Sequence, residues 1–115
     1  MKSEQRTANR QYSIPMTGLT DIELNKLVTI FAYYDEIEQA VLYGSRAKGT
    51  YKPFSDIDIT LFGVRVSSRT LNILAGDIDD LLLPYQVDLS IYSQLTNESL
   101  KSHINRVGIT LYQKQ

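Results

Sequence analysis

Apolar residues along the chain fall into two alternating rhythms, one helical and one extended. Leu24, Leu27, Val28, Phe31 and Tyr34 recur at helical spacing and predict an amphipathic helix of about four turns. Thr20-Asp21-Ile22-Glu23 ahead of them reads as a capping box, T-x-x-E. Ile37 to Tyr43 ends in the continuous run AVLY, expected of a central strand, and Gly44 stops it. Ile57, Ile59 and Leu61 alternate with Asp56, Asp58 and Thr60, a strand period. Ser67 or Ser68 then caps a second long helix whose apolar face is Leu71, Leu74, Ile78, Leu81 and Leu82. Gly76 weakens that helix, and Pro84 is expected to end it. In YQVDLSIY, Val87, Leu89 and Ile91 take one face and Asp88, Ser90 and Tyr92 the other. Leu100, Ile104 and Val107 outline a last short helix closed by Gly108, and ITLY is placed as an edge strand.

This order predicts a small α/β (α+β) layer structure, a mixed sheet of three to four strands with helices largely on one face. Residues 1–18 are polar and without period, and are read as a loose arm ahead of one domain at 19–115. A length of 115 residues fits a single domain, and 43% hydrophobic content suffices for its core. A net charge of -1 argues against a dedicated nucleic-acid binder, so no direct nucleic-acid contact is expected. Without cysteine there is no disulfide or thiolate zinc site. No apolar run has membrane-spanning length, and the polar N-terminus lacks an export core. A cytoplasmic enzyme or binding module is the expectation.

Two carboxylates on a strand are a poor choice for folding alone. Side chains two apart on a strand share a face, with α-carbons about 6.5 to 7 Å apart, so Asp56 and Asp58 project together. Asp88 obeys the same logic in the later strand. Adjacent strands would bring three carboxylates to one surface, where repulsion calls for a cation, and Mg2+ is the hard, oxygen-loving choice. Gly44 permits a tight turn and close ligand approach. Ser45 adds a hydroxyl, and Arg46, Lys48 and Lys52 add positive charge suited to phosphate. A phosphate turn beside carboxylate-held magnesium is what nucleotidyl transfer requires.

Each part taken alone has a plainer explanation. A lone Gly-Ser is a loop, and Asp-x-Asp is usually a turn. Asp77, Asp79 and Asp80 fall on the solvated side of a helix. His103 reads as a surface residue, Tyr33 and Tyr34 as helix packing, and Arg65 and Arg69 as loop charges. The joint spacing is what stands out.

Gly44-Ser45, ten residues, then Asp56-Ile57-Asp58 resembles the GS-x10-DxD signature of the DNA polymerase β-like nucleotidyltransferase superfamily. With a chain this short and VDLS supplying a third aspartate, it is similar to minimal nucleotidyltransferases, the MNT antitoxins paired with HEPN-domain toxins. The resemblance covers roughly residues 20 to 112, with Lys48-Gly49 where the family often has Arg-Gly. It implies that Asp56, Asp58 and Asp88 are catalytic and hold Mg2+. Asp88 would help bind a second metal, or orient and deprotonate the acceptor. Gly44, Ser45, Arg46 and Lys48 would bind ATP. It also implies a hetero-oligomer with a HEPN RNase toxin whose tyrosine hydroxyl receives AMP. Open alternatives are an antitoxin that blocks by binding, a small-molecule transferase with a helper subunit, and a nucleotide-binding regulatory domain.

Overall fold

The structure, a computed structural model, describes residues 16–115. Most of the expected N-terminal arm, residues 1–15, lies outside the described residues. Thr17, within the stretch assigned to the arm, is buried and belongs to the domain.

Among the described residues, four helices and four strands follow one another: α1 (Asp21–Ala32), β1 (Gln39–Tyr43), α2 (Ser45–Lys48), β2 (Ile57–Phe62), α3 (Ser68–Asp79), β3 (Val87–Ile91), α4 (Glu98–Val107) and β4 (Ile109–Gln113). A 3-10 turn, Tyr92–Gln94, leads from β3 toward α4. The sheet order is β3-β2-β1-β4. β1 pairs antiparallel with both β2 and β4, whereas β2 and β3 run parallel. The sheet is therefore mixed, and ITLYQ forms its edge beside β1.

Strand alternation sorts the side chains. Ala40 and Leu42 from β1 and Ile57, Ile59 and Leu61 from β2 are fully buried against Leu27 and Phe31 of α1 and Leu74 and Ile78 of α3. Burying such residues is the main stabilising term, each contributing roughly 1.5–3 kcal/mol. α4 packs on the opposite face, where Ile104 and Val41 are buried in a separate small patch. That second layer is what brings α4 close to the end of β1.

The caps form as the sequence requires. Thr20 Oγ1 accepts the Glu23 N–H at 3.1 Å and Glu23 Oε1 accepts the Thr20 N–H at 2.9 Å. Ser67, not Ser68, caps α3. Two expectations fail at helix ends. α1 stops at Ala32, so Tyr33 caps it with its ring 82% exposed rather than packing. Tyr34 lies beyond the helix yet packs against the core as expected, and its hydroxyl donates to Asp77, which is thus more than a solvated charge. α3 ends at Asp79, before Pro84 could act, and Leu82 adopts a left-handed turn (φ 58°) with its side chain 86% exposed. Leu82 therefore belongs to no helical face. Arg65 pairs with exposed Asp35 at 2.8 Å, a surface role. Among the described residues, no helix is long and apolar enough to cross a membrane.

Candidate active site

The register of three strands builds the site. Parallel pairing sets Asp58 beside Asp88, and antiparallel pairing sets Tyr43 opposite Asp58. Further along the same face, Ser90 Oγ donates to Thr60 Oγ1 at 2.9 Å, tying β3 to β2. Asp56 stands just ahead of β2, because the chain before it is held in a turn. In that turn Ser55 N–H donates to the Lys52 carbonyl and Lys52 N–H to Ser55 Oγ. The ladder starts only when Ile57 N–H reaches the Gln86 carbonyl at 2.9 Å. One carboxylate thus sits on the strand and one at its entry.

Asp58 is half-buried, while Asp56 and Asp88 are exposed. Burial raises the Asp58 pKa above its ordinary value, and the charges of Asp88 and Asp56 add to the shift. Among the described residues the ion pairs are those of Asp35, so none of these three carboxylates has a basic partner. The described residues hold no ready-made cluster of three metal-binding side chains. Exposed Asp56 and Asp88 would have to swing toward Asp58 to share a cation. This fits magnesium, which takes one or two carboxylates and fills its shell with water and phosphate oxygens.

Gly44 closes the site from the β1 side. Its φ of 77° and ψ of -157° suit glycine, and an added Cβ would lie 2.3 Å from Asp58 Oδ2. The chain turns directly into α2, where Ser45 opens the first turn and Lys48 lies exposed in the last. Gly44 is expected to bind phosphate, yet its only backbone donor is engaged: the N–H donates to His103 Nε2 at 3.0 Å.

Arg46 departs furthest from expectation. Only 1% exposed, it turns inward. Its Nη1 donates to the Thr17 carbonyl at 2.9 Å, and Nε and Nη2 donate to the Ser55 carbonyl at 3.1 and 2.9 Å. The guanidinium also lies over the Tyr85 ring, 4.4 Å from its centroid. A five-donor planar fork can tie three chain segments together in this way. Arg46 braces the turn that carries Asp56, its guanidinium donating to backbone carbonyls where the sequence suggests a phosphate ligand.

Two further residues line the site, one of them read from the sequence as a surface residue. Tyr43 ends AVLY, and its hydroxyl pKa is raised chiefly by burial, with Ser90 beside it and the charges of Asp58 and Asp88 close by. His103 was set aside as a surface residue, but it is half-buried and meets the Tyr43 ring edge-on at 6.2 Å. The signal was present. Leu100, His103, Ile104 and Val107 stand at i, i+3, i+4 and i+7, so the histidine lies on the sheet-facing stripe of α4.

A parallel strand pair bearing facing aspartates, beside a glycine-serine turn, defines a nucleotidyltransferase type of fold and site. The family described as polymerase beta, nucleotidyltransferase matches residues 25–115, and the chain belongs to that family. No curated protein matches the sequence. Among solved structures, the chain is similar to a chain of a toxin-antitoxin crystal structure with AMP-PNP, at 23% identity and TM-score 0.65. That match covers 80% of this chain and 74% of the other. A tri-AMPylated HEPN toxin of Shewanella oneidensis in complex with MNT antitoxin provides a second match, at 19% identity and TM-score 0.62, covering 84% and 75%. A toxin-antitoxin MntA-HepT structure matches at 19% identity and TM-score 0.61, covering 84% and 74%. At these identities the likeness is one of fold.

Proposed function

We propose that this protein is an antitoxin of the MNT type, a nucleotidyltransferase that transfers AMP from ATP to a tyrosine hydroxyl of a cognate HEPN RNase toxin. The observation that carries the reading is the register that sets Asp58 beside Asp88 next to the Gly44–Ser45 turn. Family membership supports the reaction class, and the similarity to toxin-antitoxin structures, one with AMP-PNP and one with an AMPylated toxin, supports the partner. A cytoplasmic setting accords with both.

Asp56, Asp58 and Asp88 have the hard oxygen donors that fit Mg2+. When bound, the ion supplies positive charge to the nucleotide phosphates. The protein's own groups do the rest. Ser45 offers its hydroxyl and the first turn of α2 to the phosphates, with Lys48 adding charge at the turn's far end. Exposed Asp88 faces the acceptor, accepts its hydroxyl proton and aims the oxygen at the α-phosphorus. A new oxygen–phosphorus bond forms as the bond to the bridging oxygen breaks, and pyrophosphate leaves. The partner presents the hydroxyl.

The rival is an antitoxin that neutralises only by covering its toxin. Incubation of the toxin with this protein and Mg-ATP, followed by separation, distinguishes the two. Covalent transfer leaves the RNase inactive after separation; restored RNase activity would contradict transfer.

A further inference from the structure

The mechanism above makes no use of His103, yet it holds the one backbone donor of the glycine that opens the phosphate turn. We infer that His103 is a positioning residue for nucleotide binding: its Nε2, by accepting the Gly44 N–H, fixes the Tyr43–Gly44 peptide that leads β1 into the phosphate turn. The inference rests on the nucleotidyltransferase reading and assigns that site a further residue.

Three observations converge on it. The hydrogen bond is 3.0 Å long and joins residues fifty-nine apart in sequence, so it ties α4 to the end of β1. The imidazole also meets the Tyr43 ring edge-on at 80°, which restricts its rotation. The helix itself lies close to β1: Ile104 of α4 and Val41 of β1 are both buried, and Gly108 approaches Val41 with no room for a Cβ. The histidine thus meets the Tyr43 ring from a helix held close to β1, while its nitrogen accepts from the Gly44 N–H.

This arrangement has a chemical requirement. An imidazole nitrogen that accepts a hydrogen bond carries no proton, so the neutral ring must bear its proton on Nδ1. Burial lowers the His103 pKa, and the nearby charges of Lys48 and Arg106 lower it further, all favouring the neutral form. Gly44 needs such a restraint because its conformation, with φ 77° and ψ -157°, is one of several a glycine can visit. Without the acceptor, the Tyr43–Gly44 peptide loses this anchor, and the turn is left to the hold on its other side, where the Gly44 carbonyl accepts the Lys48 N–H at 3.0 Å.

Two measurements test this. In the ligand-free wild-type protein, nitrogen NMR of His103 should show the Nδ1–H tautomer, with the Gly44 amide proton shifted as in a strong hydrogen bond. A proton found on Nε2 would overturn the inference whatever the activity. His103→Ala should then raise KM for ATP about tenfold, the effect of one lost hydrogen bond, with a smaller change in kcat. His103→Gln, whose side-chain oxygen can accept the same N–H, should recover most of that loss. Unchanged KM in the alanine variant, or no recovery in a folded glutamine variant, would count against positioning. A wild-type protein that neither binds Mg-ATP nor transfers AMP would instead sink the transferase reading, while the tautomer would still decide the hydrogen bond.

Discussion

At the scale of single residues, Asp58 carries a conflict between folding and function. Its side chain is half-buried beside two other carboxylates with no basic partner among the described residues, so its folded-state pKa lies above the ordinary 3.8. A raised pKa means that the folded state binds the proton more tightly than the unfolded chain. The stabilising contribution is then fully present below the unfolded value and lost as pH rises through the folded value. Asp58→Asn should therefore raise the Tm of the ligand-free protein at neutral pH, and the gap from wild type should narrow as pH falls toward 3.8. The same variant should lose activity by on the order of a hundredfold or more, since even groups that only orient metal ligands cost 10–100-fold. Thermal melts across pH with matched assays check this; a lower Tm for the variant at neutral pH would contradict it. Arg46 presents the opposite case. Lysine cannot reproduce its fork onto the Thr17 and Ser55 carbonyls, so Arg46→Lys should cost about 3 kcal/mol of stability while leaving KM for ATP unchanged in the folded protein. Denaturant melts and kinetics would show it, and a raised KM at unaltered stability would return Arg46 to the phosphate site.

At the scale of elements, α4 is the part whose placement matters most to the site and was least legible in the sequence. Its apolar positions Leu100, Ile104 and Val107 were evident, but not that it would cover the sheet face bearing the carboxylates. Periodicity gives a helix its apolar stripe, not the sheet face that the stripe will meet. The same limit explains Arg46. Proximity to Gly44 in sequence suggested a phosphate ligand, whereas a four-residue helix turns successive side chains in different directions, and this one faces Thr17. Local spacing carries the capping box at Thr20, the strand alternation around Asp58 and the third aspartate in VDLS. The parallel neighbourhood of β2 and β3 was posed only as a condition, because nothing local specifies which strands meet. Gly108 fixes the approach of α4 to β1: an added Cβ would lie 2.5 Å from the Ile104 carbonyl oxygen and 2.7 Å from Val41 Cγ1. Gly108→Ala should cost about 1–3 kcal/mol and displace His103 from Gly44, raising KM for ATP as the His103 substitution does. Unchanged stability with an unmoved Gly44 amide resonance would show that the close approach is dispensable.

At the scale of the whole molecule, one sheet divides the labour. α1 and α3 bury the apolar face and supply most of the core, whereas α4 covers only part of the other face, leaving Asp56 and Asp88 exposed. An exposed carboxylate pair at an open sheet end suits an acceptor brought by a partner rather than one held in an enclosed pocket. The groove lined by Ile22, Lys26 and Ile30 of α1 and by Leu81 after α3 is made of residues that take no part in the carboxylate site. The central claim is that the aspartates transfer AMP to the toxin and do not merely face it. Intact-mass spectrometry of the toxin, after incubation with Mg-ATP and either wild type or Asp88→Asn, tests it most directly. That variant keeps side-chain size but removes the charge and basicity of the proposed base. The account predicts AMP additions on the toxin with wild type, none with Asp88→Asn, and association of both with the toxin. Full protection by Asp88→Asn with no AMP on the toxin, or unmodified toxin with wild type, would contradict it.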